Sequence, residues 1–262
     1  MSAPRGMMSA RARQRLMSAL ALLGFFVLWE LGCVASGVSD LILPRPSQIL
    51  LVLIDKLPLL WPHAVQTLYT TLVGFGLGVL IGIVLGLVIG SSKTAYDVAY
   101  PLLVGFSSIP KVAVVPIFVV WFGSGTVPAI LTSMVICIFP VVVNVATGLA
   151  TLEPELEDVL RVLGAKRWDV LTKVGLPRSM PYFYGSLKVA ITLAFVGTTV
   201  SEMTAANEGI GYLLISAGSS MQMGLAFAGL MVVGAMAMVM YELFSWIEKR
   251  TTGWAHRGSQ GE

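Results

Sequence analysis

The chain has 262 residues, of which 17 are basic and 14 acidic, so 12% is charged where a soluble domain carries roughly 25%. With 56% hydrophobic residues, a mean hydropathy of +0.85 and a net charge of +3, the composition excludes a disordered chain, a disulfide-stapled secreted module and an ordinary cytosolic enzyme. The basic excess is too small to point to nucleic acid, and what remains is a protein with several membrane spans.

A spanning helix needs about 20 mostly apolar residues. The first such run, Leu16 to about Val38, follows Arg5, Arg11, Arg13 and Arg15. Glu30 interrupts it and no small-residue cleavage site follows, so it reads as a retained span rather than a signal peptide. Asp40 to His63, with Pro44, Pro46, Pro58 and Pro62, suits an external segment holding one short interfacial helix. Five more spans are expected at about Val65–Gly90, Val98–Phe122, Val127–Leu149, Phe183–Met203 and Gly224–Ile247. The expected fold is therefore an all-α membrane protein of six transmembrane helices. Residues 1–64 hold the N-terminal tail, first helix and external segment; 65–250 form the main transmembrane domain, and 251–262 a tail.

Assigning each cation to its nearer end puts 14 on the side of the N-terminus and three, Arg45, Lys56 and Lys111, on or toward the other. By the positive-inside rule both termini lie in the cytoplasm. Cys33 and Cys137 sit in apolar runs, without a Cys-x-x-Cys or a nearby His, and read as small buried hydrophobes.

The second span carries Gly74, Gly78, Gly82, Gly86 and Gly90, a spacing of four that puts them on one helical face. Such a face lets a neighbouring helix approach closely. Gly90-Ser91-Ser92-Lys93-Thr94 ends like a phosphate loop but lacks its Gly spacing, so no ATPase site is expected here. Ionisable groups at depth are functional candidates. Lys188 and Glu242 lie near the cytoplasmic face, within reach of headgroups or each other, and Glu30 reads as interfacial. Lys111 and Glu202 are deeper. Pro110 and Pro116 bracket Lys111, so the third span is expected to break there, as irregular backbone at depth requires protein or a water-filled cavity around it. Two readings stand: a structural or gating role for Lys111 and Glu202, paired together or each with its own partner, or a Lys111 that faces a path and attracts an anion. Asn144, Thr198, Thr199 and Asn207 offer neutral hydrogen bonds to a solute or to neighbouring helices. His63 is expected outside and His256 in the tail, both solvated.

The longest polar stretch, Thr151 to Pro181, lies between the fourth and fifth spans. Glu153, Glu155, Glu157 and Asp158 with Pro154 mark a helix start. Leu156, Val159, Leu160 and Leu163 then form one apolar stripe, which Gly164 ends. A second short helix is expected from about Lys166 to Val174, closed by Gly175 and Pro177. The pair either folds back on its own spans or docks on a soluble partner.

This loop resembles the coupling loop of permease subunits of bacterial binding-protein-dependent ABC importers. Asp158-Val159-Leu160, Gly164 and Leu176-Pro177 hold the motif's places, with Asp for the usual Glu and bulkier residues for two alanines. The resemblance runs from about Val65 to Ile247. Ile109-Pro110-Lys111, Pro116, Trp121-Phe122-Gly123, Ser201-Glu202-Met203 and Gly209-Ile210-Gly211-Tyr212 are similar to the branch importing nitrate, taurine, alkanesulfonates and related small anions. The resemblance implies a five-helix type I importer core plus one N-terminal helix. It also implies two ATPase subunits using ATP and Mg, a second permease copy in a homodimer, an extracytoplasmic solute-binding protein, and residence in the bacterial inner membrane. It assigns ATPase docking to Leu156, Asp158, Leu160, Leu163, Gly164, Ala165 and Lys166. Pro110, Lys111, Pro116, Glu202 and Asn207 are the candidates for a path or gate. No cofactor is expected on the chain itself. The runner-up is a self-sufficient ion-coupled carrier or channel, which would need inverted repeats or several buried acids.

Overall fold

A computed structural model describes residues 10–150, Val162, Gly164, Asp169 and 171–252, and every regular element among them is helical. In chain order, α1 (Ala10–Ser36) and the short α2 (Pro46–Asp55) precede α3 (Leu57–Gly90). Next come α4 (Lys93–Ser107), a 3-10 turn at Lys111–Val114, and α5 (Val115–Phe122). The described chain then runs through α6 (Thr126–Ala150), α7 (Leu176–Ala205), α8 (Ile210–Ser219) and α9 (Met223–Thr251). α1, α3, α6, α7 and α9 are each long and apolar enough to cross a membrane. α4 and the segment Lys111–Phe122 pass the same test together, bent by 74° at their junction, and count as a sixth span if taken as one.

The centre of the fold is the seam between α3 and α6. A methyl group on Gly78 would lie 2.7 Å from the Met134 carbonyl oxygen; on Gly82 or Gly86 it would lie 2.7 Å from Val141 or Val145 Cβ. Both lists climb together, from Gly74 against Ser133 to Gly90 against Leu149, so the two helices run in the same direction. The bent pair between them must therefore return the chain from the end of α3 to the start of α6. α7 packs on another side of α6, where the Cys137 thiol donates to the Ala190 carbonyl at 3.3 Å. Val141, Val145, Leu187, Ile191 and Phe195 fill the adjoining core. Cys33 and Cys137 are both buried and unbridged.

Three local features differ from the sequence reading. α3 begins at Leu57, eight residues before Val65, because Pro58 falls in the first turn, where a missing N–H costs nothing. Gly175 and Pro177 start a helix rather than close one. A π turn at Leu171–Gly175 leads straight into α7, with Pro177 in its first turn, so Pro181 lies inside the spanning rod rather than at a loop's end. A wider turn at that place gives the proline ring room beside the preceding carbonyls. Third, α2, expected as one short interfacial helix, also packs inward on one face while Leu51 and Ile54 stay exposed. Ile49 is fully buried, in a cluster with Leu60, Ile210, Leu213 and Leu225, so α2 and α8 together roof one end of the bundle.

Candidate functional site

Among the described residues Glu202 is the only acidic or basic side chain that is fully buried. Near the C-terminal end of α7, it is 2% exposed. Its Oε2 accepts hydrogen bonds from the Thr67 hydroxyl at 2.8 Å and from the Gly211 N–H at 3.0 Å. Thr67 Oγ1 in turn accepts the Ile210 N–H at 2.8 Å, and His63 Nδ1 accepts the Gly209 N–H at 3.1 Å. Three consecutive N–H groups at the start of α8 are thus held by side chains from α3 and α7. A helix N-terminus leaves such donors unpaired and carries partial positive charge, so a carboxylate there satisfies both. Gly209 has φ +100°, and a Cβ on it would overlap the Glu202 carboxylate; one on Gly211 would strike the Thr199 carbonyl. The Ser201-Glu202-Met203 and Gly209-Ile210-Gly211 motifs are the two halves of this latch. α2 is secured the same way: Glu30 of α1 accepts the Ser47 N–H at 3.0 Å and its hydroxyl at 2.7 Å.

Sequence reasoning missed Thr67 and left His63 in solvent. Both continue the glycine face of α3 toward its N-terminus, at positions 63, 67, 71 and 74, and that spacing was the available signal. Beside the latch, a pocket of about 210 Å³ is lined by Gln66, Thr70, Thr126, Glu202, Asn207 and Glu208. Glu202 and Asn207 are thereby brought together.

Lys111 is elsewhere. The broken span places it at the head of the 3-10 turn, after Pro110, with Pro116 in the first turn of α5. No ion pair joins it to Glu202. Its ammonium donates to the Ser107 carbonyl at 2.9 Å and sits 4.6 Å over the Phe139 ring. Ser107 ends α4, so the cation meets one of the carbonyls that a helix C-terminus leaves open. The same ammonium borders a groove of about 460 Å³ between the break, α6 and α7, walled by Phe139, Val143, Asn144, Leu193 and Val196. Asn144 Nδ2 donates to the Pro140 carbonyl at 2.8 Å. Thr198 and Thr199 are buried within the bundle, away from that groove. Midway along α7, rather than near a face, Lys188 pairs with Glu248 at 2.6 Å, not with Glu242, which is exposed.

Of the docking candidates, Leu156, Asp158, Leu160, Leu163, Ala165 and Lys166 lie outside the described residues. Gly164 is described. It is exposed and takes φ +86°, the left-handed conformation that ends a helix and that glycine adopts at least cost.

Residues 78–253 match the family described as "Binding-protein-dependent transport system inner membrane component". The chain is 31% identical over 237 residues to a probable ABC transporter permease protein of Haemophilus influenzae, covering 90% of this chain and 97% of that one. It is 30% identical over 203 residues to the formylaminopyrimidine transport permease protein of Halalkalibacterium halodurans, covering 77% and 81%. Against the taurine transport system permease protein of Escherichia coli it is 26% identical over 250 residues, covering 93% and 91%. Among solved structures, a chain of the inward-facing MetNI methionine ABC transporter superimposes with a TM-score of 0.66 at 18% identity, over 76% of this chain and 98% of that one. The chain belongs to this family and is the permease subunit of an ATP-driven importer.

Proposed function

We propose that the chain works as one of two identical permease copies in the bacterial inner membrane, with six spans and both termini in the cytoplasm. Two ATPase subunits grip residues 151–181 and hydrolyse ATP with Mg, while an external solute-binding protein delivers a small anion of the sulfonate, taurine, nitrate or carboxylate kind. The observation that carries this reading is mechanical. The π turn at Leu171–Gly175 joins the docking loop to α7, and the outer end of α7 holds α8 through Glu202. A push on the loop thus reaches the outer roof along one rod. Packed helices of this kind switch between arrangements rather than deform continuously.

Glu202 and Asn207 form the outer gate in this reading, and Pro110, Lys111 and Pro116 shape the path. The sulfonate and nitrate side of the family rests on relatives such as the putative aliphatic sulfonates transport permease protein of Bacillus subtilis and a nitrate import permease protein of Leptolyngbya laminosa. Gly164→Pro is the test, because proline's ring holds φ near −65° and cannot take the +86° found here. In proteoliposomes holding the permease with its ATPase subunits and solute-binding protein, the wild type should accumulate taurine or nitrate with ATP, and the variant should hydrolyse ATP without accumulating either. Wild-type chain reconstituted alone should move neither solute under an imposed proton or sodium gradient. Gradient-driven uptake by the lone chain would refute the importer reading.

A further inference from the structure

We propose that the Lys111 groove selects organic anions with an apolar, ring-sized body, arene sulfonates and arene carboxylates, over bare inorganic anions. The inference rests on the reading of this groove as the solute path. At about 460 Å³ the groove falls within the roughly 300–1,000 Å³ of small-molecule sites. Its walls are Phe139, Val143, Leu193 and Val196, and its polar groups are few. Among the described lining residues Lys111 is the single cation, and one of its three protons is already given to the Ser107 carbonyl. The Asn144 amide nitrogen is likewise turned to the Pro140 carbonyl.

A small, fully hydrated anion such as nitrate would exchange its water shell for two donors and an apolar wall, which is unfavourable. An arene anion meets the same site differently. Its charged end pairs with the two free protons of Lys111, and its ring covers apolar wall that would otherwise stay wet. The break in the span fixes where the charge sits: Pro110 precedes Lys111, and the ammonium is pinned between the end of α4 and the face of Phe139. The cation is therefore held at one edge of the groove, which suits an elongated anion with charge at one end.

The experiment is calorimetric titration of the full chain in lipid nanodiscs with benzenesulfonate, methanesulfonate and nitrate. Benzenesulfonate should bind at least about tenfold more tightly than methanesulfonate, from the buried ring, and nitrate should give no saturable heat. Lys111→Met should remove the benzenesulfonate signal, Lys111→Arg should keep it, and Leu193→Ala should weaken benzenesulfonate while leaving methanesulfonate unchanged. Equal affinity for the three anions in the wild type overturns the proposal without recourse to any variant. So does binding that Lys111→Met leaves intact, the result expected if lipid chains or a second copy fill the groove. Absence of any benzenesulfonate binding overturns it as well. ATP-dependent uptake without arene preference removes this inference alone. Arene binding in a chain that transports without ATPase subunits removes the importer reading and leaves this one standing.

Discussion

Helix α6 has two faces that meet opposite fates. On one, Ser133, Cys137, Val141, Val145 and Leu149 close against the glycines of α3 so tightly that no methyl fits. On the other, Phe139, Pro140, Val143 and Asn144 stand along an open groove. The residues are of similar polarity, so hydrophobicity does not distinguish them. What differs is the neighbour. A helix that presents glycine every fourth residue can approach backbone to backbone, whereas a span broken beside proline cannot lie flush and leaves space. The same bundle thus obtains a rigid seam and a cavity from two kinds of residue on the neighbouring helices.

The largest disturbance of that contrast should come from the sealed face. Gly78→Leu would drive a side chain into Met134 and Cys137 and should cost about 3 kcal/mol or more, seen as loss of monodisperse protein in detergent chromatography. An intermediate effect belongs to the latch. Glu202→Ala leaves the Gly211 N–H and the Thr67 hydroxyl without their acceptor and should cost about 1–3 kcal/mol, read from the thermal unfolding midpoint. The smallest effect should fall two residues from the first. Gly76 lies on the same helix with nothing within 4 Å of its absent Cβ, so Gly76→Ala should be neutral or stabilise by about 0.5–1 kcal/mol. Comparable damage from Gly76→Ala and Gly78→Leu would erase the distinction between seam and open surface.

Much of this was legible in the chain. Hydropathy located the spans, spacing found the glycine face, and the prolines around Lys111 marked the break. The motifs at 201–203 and 209–212 were visible as text, but their joint meaning was not. The acceptor for Gly211 comes from nine residues upstream, and the hydroxyl that completes the latch is 135 residues from Glu202. α8 was also hidden, because a ten-residue apolar run beside a span carries no period of its own. The partner of Lys188 escaped for a rotational reason. Glu242 and Glu248 share one helix but are six residues apart, roughly 240° around it at about 3.6 residues per turn, and only Glu248 faces α7.

The attachment of α1 is one-sided. It meets the remainder near its C-terminal end, where Trp29 lies against Phe227, Cys33 is covered, and Glu30 reaches Ser47. Toward its start, Leu16, Leu20 and Leu23 are exposed, and no described α1 side chain enters the central cluster of buried residues. α1 is therefore a mast stepped at one end: Trp29, Glu30 and Cys33 hold it, and the leucines toward its start lean on no other described element.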